Sequence, residues 1–221
     1  MRDTSDSLTR IKVCGLTRNE DVALAVELGA WALGFIFYEK SPRFVQPEAV
    51  GKILAELRRK SDPLRVGIFV NPSLETLKEV VETAQINAIQ LHGEETPEFC
   101  EQVKGELDFL KVFKALKLKS PEDLQSLQLY KDCDGILLDS YSESLKGGTG
   151  TLSRWDLARK AVVDRENLPP IILAGGLNED NVKRAFEEVR PWAVDVSSGL
   201  EISPGVKSPA KMMNFFKRSR P

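Results

Sequence analysis

The sequence predicts an α/β protein, a single (β/α)8 barrel over residues 1–221 with residues 1–9 as a polar N-terminal extension. Three observations predict it. A short β-branched or aromatic run, a turn and an amphipathic segment recur in that order from end to end, and alternating strand and helix means a parallel sheet. The apolar runs are nearly continuous rather than alternating, as in strands covered on both faces. Polar residues collect where those runs stop. With 221 residues, the chain sits near the small end of this fold, which starts at roughly 200. An open doubly wound sheet is the alternative, but no Gly-x-Gly-x-x-Gly follows the first strand to mark a dinucleotide site.

The eight strand candidates are Ile11–Cys14, Ala32–Phe37, Arg65–Val70, Ala88–Leu91, Phe109–Lys114, Gly135–Asp139, Ile171–Ala174 and Ala193–Val196. Helices are expected to begin near Glu20, Pro47, Leu74, Pro97, Pro121, Arg154, Glu179 and Pro209. Proline suits the first turn at Pro47, Pro97 and Pro121, because its missing N–H has no partner there in any case. Thr96 and Ser120 are natural N-caps.

Composition narrows the function. A formal net charge of −2 gives no reason to expect nucleic acid or a membrane surface as partner. The three cysteines, Cys14, Cys100 and Cys133, are an odd number without a Cys-x-x-Cys pair, which suits a reducing cytoplasm and argues against a disulfide framework or zinc site. His92 is the single histidine, so no His-rich metal site is expected. The polar first ten residues do not resemble a signal peptide. The most apolar stretch, Leu28–Tyr38, is too short to span a bilayer.

In a barrel, chemistry belongs at strand C-termini. The first strand stops on Cys14, followed at once by Gly15. A cysteine there is either a buried small hydrophobe or a base or nucleophile. Asp139 ends the sixth strand, where a carboxyl group is either a general acid or a loop-holding acceptor. Arg43, in Ser41-Pro42-Arg43, can grip a carboxylate in a bidentate fork, although an isolated arginine is more often solvated. His92 reads as a pocket wall. Asp195, inside an apolar strand, needs partners: a substrate hydroxyl or an inner hydrogen-bond network. Cys100 and Cys133 read as inert.

Three glycine segments, Gly147-Gly148-Thr149-Gly150, Gly175-Gly176 and Ser197-Ser198-Gly199, follow strands six, seven and eight. Each could be a plain turn. Together they point to a phosphate cradle of Gly148, Gly150, Gly175, Gly176, Ser198 and Gly199, because glycine lets backbone N–H groups approach an anion closely. Lys12 lies two residues before Cys14, so both share a strand face, and Lys12 is expected below the thiol as a cation that lowers its pKa.

Lys12-Val13-Cys14-Gly15-Leu16-Thr17 resembles the opening motif of the phosphoribosylanthranilate isomerase family. Ser41-Pro42-Arg43, Gln90-Leu91-His92-Gly93, Leu137-Leu138-Asp139, Gly147-Gly148-Thr149-Gly150, Ala174-Gly175-Gly176-Leu177 and Val194-Asp195-Val196-Ser197-Ser198-Gly199 match its later motifs in order. Two stretches depart from the pattern. In Thr151-Leu152-Ser153-Arg154-Trp155 only the tryptophan matches clearly, and Gly205-Val206-Lys207-Ser208 carries serine where the family has aspartate.

The resemblance implies a cofactor-free and metal-free Amadori isomerase of tryptophan biosynthesis. Its partner would be one small molecule, a phosphosugar bearing anthranilate, bound by a monomer or homodimer. Cys14 would be the general base, Asp139 the general acid, and Arg43 the holder of the anthranilate carboxylate. A histidine-pathway Amadori isomerase would place an acid where Cys14 stands. A non-catalytic phosphosugar binder would need neither Cys14 nor Asp139.

Overall fold

The computed structural model describes residues 9–56, 62–139, 155–163 and 167–220. Eight parallel strands close into a barrel in sequence order. They are β1 (Arg10–Cys14), β2 (Ala32–Ile36), β3 (Leu64–Phe69), β4 (Ala88–Leu91), β5 (Lys111–Lys117), β6 (Gly135–Asp139), β7 (Ile171–Ala174) and β8 (Ala193–Val196). Closure comes from β1, which pairs with β2 on one side and β8 on the other. The α-helices among the described residues are α1 (Asn19–Glu27), α2 (Pro47–Glu56), α3 (Leu74–Ala84), α4 (Pro97–Glu106), α5 (Trp155–Val163), α6 (Val182–Val189) and α7 (Pro209–Ser219).

The period-two alternation of each strand sorts side chains into two shells. One shell, including Val13, Leu33, Phe35, Ile89, Leu138 and Val194, packs outward against the helices. The other fills the barrel: Cys14, Ala32, Val66, Ile68, Ala88, Phe113, Leu137, Ile172 and Ala193. Trp31 and Trp192 stack edge-to-face 4.9 Å apart beside this interior shell, with the Arg10 guanidinium 4.6 Å from the Trp192 ring. Both tryptophans stand just before a strand begins, so they stopper the N-terminal end and leave the opposite end for chemistry.

Helix starts follow local sequence. Thr96 accepts from the Phe99 N–H ahead of Pro97, and Ser73 and Ser208 cap α3 and α7 in the same way. At Ser120 the Asp123 carboxylate accepts from the Ser120 N–H.

Four elements differ from expectation. The segment after Ser120 is a 3-10 helix, Pro121–Tyr130, rather than an α-helix. Its apolar residues Leu124, Leu127 and Tyr130 recur every three positions, so a three-residue turn stacks them in one row against the core. The fifth strand begins at Lys111 because Phe109 is 67% exposed and the Leu110 N–H turns back to the Leu107 carbonyl. Helix α6 starts at Val182 because the Asn178 side chain accepts from the Asp180 and Asn181 N–H groups, which takes up the preceding residues as a turn. After β8, the chain makes a short 3-10 turn (Ser198–Leu200) and an unexpected hairpin of β9 (Glu201–Ser203) and β10 (Val206–Lys207). Among the described residues no helix is long and apolar enough to cross a membrane.

Candidate active site

A cleft of about 420 Å³ opens at the C-terminal ends of the strands. Cys14 and Asp139, the last residues of β1 and β6, line it, together with Arg43, His92, Asp195, Gly175, Gly176 and Ser198. Gly199 is not part of the lining. A Cβ there would sit 1.9 Å from the Leu177 carbonyl oxygen, so glycine allows the β7 and β8 loops to touch. Gly148 and Gly150 lie outside the described residues. The cleft also uses Ser197, from the Ser197-Ser198-Gly199 segment, and Ile36 and Ile68, which the sequence did not mark. Among the described residues no group of three or more His, Cys, Asp or Glu side chains is placed to hold a metal ion.

Cys14 is a free, buried thiol facing the barrel interior. Below it, as the strand spacing predicts, Lys12 is 1% exposed and donates to Asp195 Oδ1 at 2.9 Å. The two residues are direct register neighbours on β1 and β8. Asp195 thus belongs to an inner hydrogen-bond network and also reaches the cleft.

The expected net lowering of the thiol is not what the environment produces. Burial pushes the Cys14 pKa up, Lys12 and Lys207 pull it down, Asp195 opposes them, and burial prevails. Lys12 in turn is held above its ordinary value. Desolvation works against its charge, but Asp195 and Cys14 together outweigh it, so it stays an ammonium.

Arg43 lines the cleft with its fork already engaged. Its Nε and Nη2 donate to the two oxygens of Glu201, at 2.8 and 2.6 Å. Those bonds raise its pKa against the opposing effect of burial. Gly15 makes this placement possible: its φ is +72°, and a Cβ would lie 2.7 Å from Arg43 Cδ. On the far wall, Gln90 Nε2 lies 2.8 Å from His92 Nδ1, which fits donation by the amide and an imidazole protonated on Nε2. Burial, with Lys12, lowers the His92 pKa, so the ring is neutral near pH 7. The loop carrying His92 is tied from behind: Lys114 is 1% exposed and binds Glu95 at 2.7 Å and the Gly93 carbonyl at 2.8 Å. Gly175 (φ +93°) and Gly176 (φ +66°) turn the β7 loop through backbone space that other residues rarely enter.

Glu201 and Lys207, on the hairpin after β8, are the site-supporting residues that sequence reasoning did not single out. The only signal was Lys207 within Gly205-Val206-Lys207. Cys100 and Cys133 are buried and do not line the cleft.

Comparison with known proteins agrees with this geometry. The model of the family described as N-(5'phosphoribosyl)anthranilate (PRA) isomerase matches residues 11–218. The N-(5'-phosphoribosyl)anthranilate isomerase of Citrifermentans bemidjiense is 43% identical over 213 residues, covering 96% of this chain and 98% of its own. The crystal structure of phosphoribosyl anthranilate isomerase from Thermotoga maritima superposes with a TM-score of 0.85 at 39% identity, covering 96% of this chain and 98% of its own. A further crystal structure, of a phosphoribosyl anthranilate isomerase in complex with reduced 1-(o-carboxyphenylamino)-1-deoxyribulose 5-phosphate, gives 0.82 at 37% identity, with the same shares covered. A closed eight-stranded barrel, a thiol and a carboxyl group facing one cleft, and a match over nearly the whole chain place this protein in the N-(5'-phosphoribosyl)anthranilate isomerase family.

Proposed function

We propose that this isomerase converts N-(5-phosphoribosyl)anthranilate to 1-(2-carboxyphenylamino)-1-deoxyribulose 5-phosphate, with Asp139 as general acid and Cys14 as general base. The observation that carries the assignment is the convergence of these two side chains, from β6 and β1, on one cleft that Arg43 and the Gly175-Gly176 loop also line.

Asp139 donates its proton to the furanose ring oxygen. The C1–O bond breaks, and the anilino nitrogen supplies the electron pair for a cationic Schiff base. That cation acidifies the C2–H bond, and the Cys14 thiolate removes the proton to leave a neutral enolamine. Tautomerisation then gives C1 a proton and takes one from the C2 hydroxyl, so acid and base return to their starting forms. Lys12 and Lys207 favour the thiolate against burial. Arg43 has five N–H donors and spends two on Glu201, so others remain for the anthranilate carboxylate. Backbone N–H groups of the Gly175-Gly176 and Ser197-Ser198 loops supply the phosphate cradle. Asp195 and the neutral ring of His92 line the sugar's path. Three unpaired thiols suit a reducing cytoplasm as the place of work.

Turnover by the wild type, Cys14→Ser and Asp139→Asn tests the assignment. The two variants are expected to lose roughly 10²–10⁴ in kcat while still binding the reduced product analogue. A wild type that binds the analogue tightly without turning substrate over would instead identify a phosphosugar-binding barrel.

A further inference from the structure

Arg43 poses an electrostatic problem. A guanidinium locked bidentately to a carboxylate is nearly neutralised, which is a poor way to attract a second carboxylate. Glu201 is 7% exposed, so little solvent screens the pair. Lys207 resolves the problem. It is fully buried, from a hairpin strand, and its Nζ meets three acceptors: Glu201 Oε1 at 3.0 Å, the Cys14 carbonyl at 2.6 Å and the Ser197 carbonyl at 3.1 Å. Three acceptors and no donor call for three N–H groups, hence the ammonium form. Arg43, Glu201 and Lys207 then form a +, −, + row with net charge +1 that runs inward from Arg43 on the cleft wall.

We propose that Lys207 is a positioning residue that sets substrate specificity: by balancing Glu201, it leaves the Arg43 guanidinium both oriented and cationic toward the anthranilate carboxylate. The inference rests on Arg43 as the carboxylate anchor. Lys207 does not line the cleft and acts through Glu201 and Arg43. The same contacts tie the end of β1, where Cys14 sits, to the loop after β8. The other charged or titratable groups facing the thiol are Lys12 and Asp195 from below, with His92 and Asp139 lining the same cleft. Glu201 is held below the ordinary carboxylate range: burial pushes it up, but Arg43 and Lys207 outweigh that. Burial lowers the Lys207 pKa, with Glu201 and Cys14 working against that effect, so the charge of Lys207 depends on the acceptors around it.

The test compares two ligands on the intact enzyme: reduced 1-(o-carboxyphenylamino)-1-deoxyribulose 5-phosphate, and its counterpart lacking the ring carboxylate. The ratio of their affinities isolates the carboxylate contact. Lys207→Met brings the row to net 0, Glu201→Gln to +2, and the double variant restores +1. The ratio should fall about tenfold in Lys207→Met, rise in Glu201→Gln, and return near the wild-type value in the double variant. If Lys207→Met does not fold, the order of the other two against wild type still decides.

Equal weakening of both ligands in every variant, or a double variant no better than the worse single, would overturn the proposal. Arg43→Met is measured alongside. A ratio that collapses there but ignores Glu201 and Lys207 refutes only the balancing role. A ratio unmoved by Arg43→Met removes the anchor and the proposal together.

Discussion

Replacing Lys12 by methionine removes the cation beneath Cys14 and leaves Asp195, 8% exposed, without its 2.9 Å partner. Two effects follow. Breaking one side of a buried ion pair costs ~3–5 kcal/mol of stability, because the remaining charge has neither water nor partner. The thiol also loses its strongest downward pull while Asp195 continues to push it up. A charge about 4 Å away at an effective dielectric near 20 is worth ~4 kcal/mol, roughly three pKa units, and relaxation of the site reduces this to about one to three. The pH profile of Cys14 alkylation should move up by that amount, with activity at neutral pH falling about 10- to 1000-fold because less thiolate is present.

The assay is alkylation of Cys14 by iodoacetamide across pH, with Cys14→Ser as the blank, beside steady-state kinetics. The double variant Lys12→Met/Asp195→Asn removes opposing influences together. It should recover most of the stability and much of the thiol shift. A folded Lys12→Met enzyme with an unchanged alkylation profile would refute the electrostatic role of Lys12.

Three further outcomes are expected. Because burial holds Cys14 above its ordinary value, the rate of Cys14 alkylation by iodoacetamide in the wild type should keep rising with pH past roughly 8.5, where a free thiol titrates. Folding favours the protonated thiol, so its stability contribution is full below that unfolded value and declines as pH climbs through the folded one; Cys14→Ser should flatten this decline in denaturant titrations. Gly199→Ala would drive a Cβ to 1.9 Å from the Leu177 carbonyl, a backbone group that cannot swing aside. A loss of ~3 kcal/mol is expected, read as a fall in Tm of about 6–12 °C, with weaker phosphate affinity; an unchanged Tm would show that the two loops separate freely.

The architecture was legible because it is local. Eight apolar runs, the prolines and caps at Pro47, Pro97 and Pro209, and polar residues at strand ends are set by neighbours in the chain. The misses were places where a distant partner or a subtler period took over. Lys111 starts β5 because it pairs beside Ala88, a contact no local propensity encodes. Leu124, Leu127 and Tyr130 specify a three-residue turn that reads like the edge of an ordinary helix.

The site divides in the same way. Strand spacing alone places Lys12 on the Cys14 face, and the ends of the runs single out Cys14 and Asp139. Only closure of the barrel decides what surrounds them. Pairing of β1 with β8 brings Asp195 beside Lys12 from 183 residues away. The hairpin after β8 carries Glu201 to Arg43 across 158 residues and Lys207 to the Cys14 carbonyl across 193. Sequence determines which side chains face inward, because that is a matter of backbone period. Tertiary structure decides which charges meet, and therefore whether a buried thiol can ionise, because electrostatic energy depends on distances that close only when the first strand meets the last.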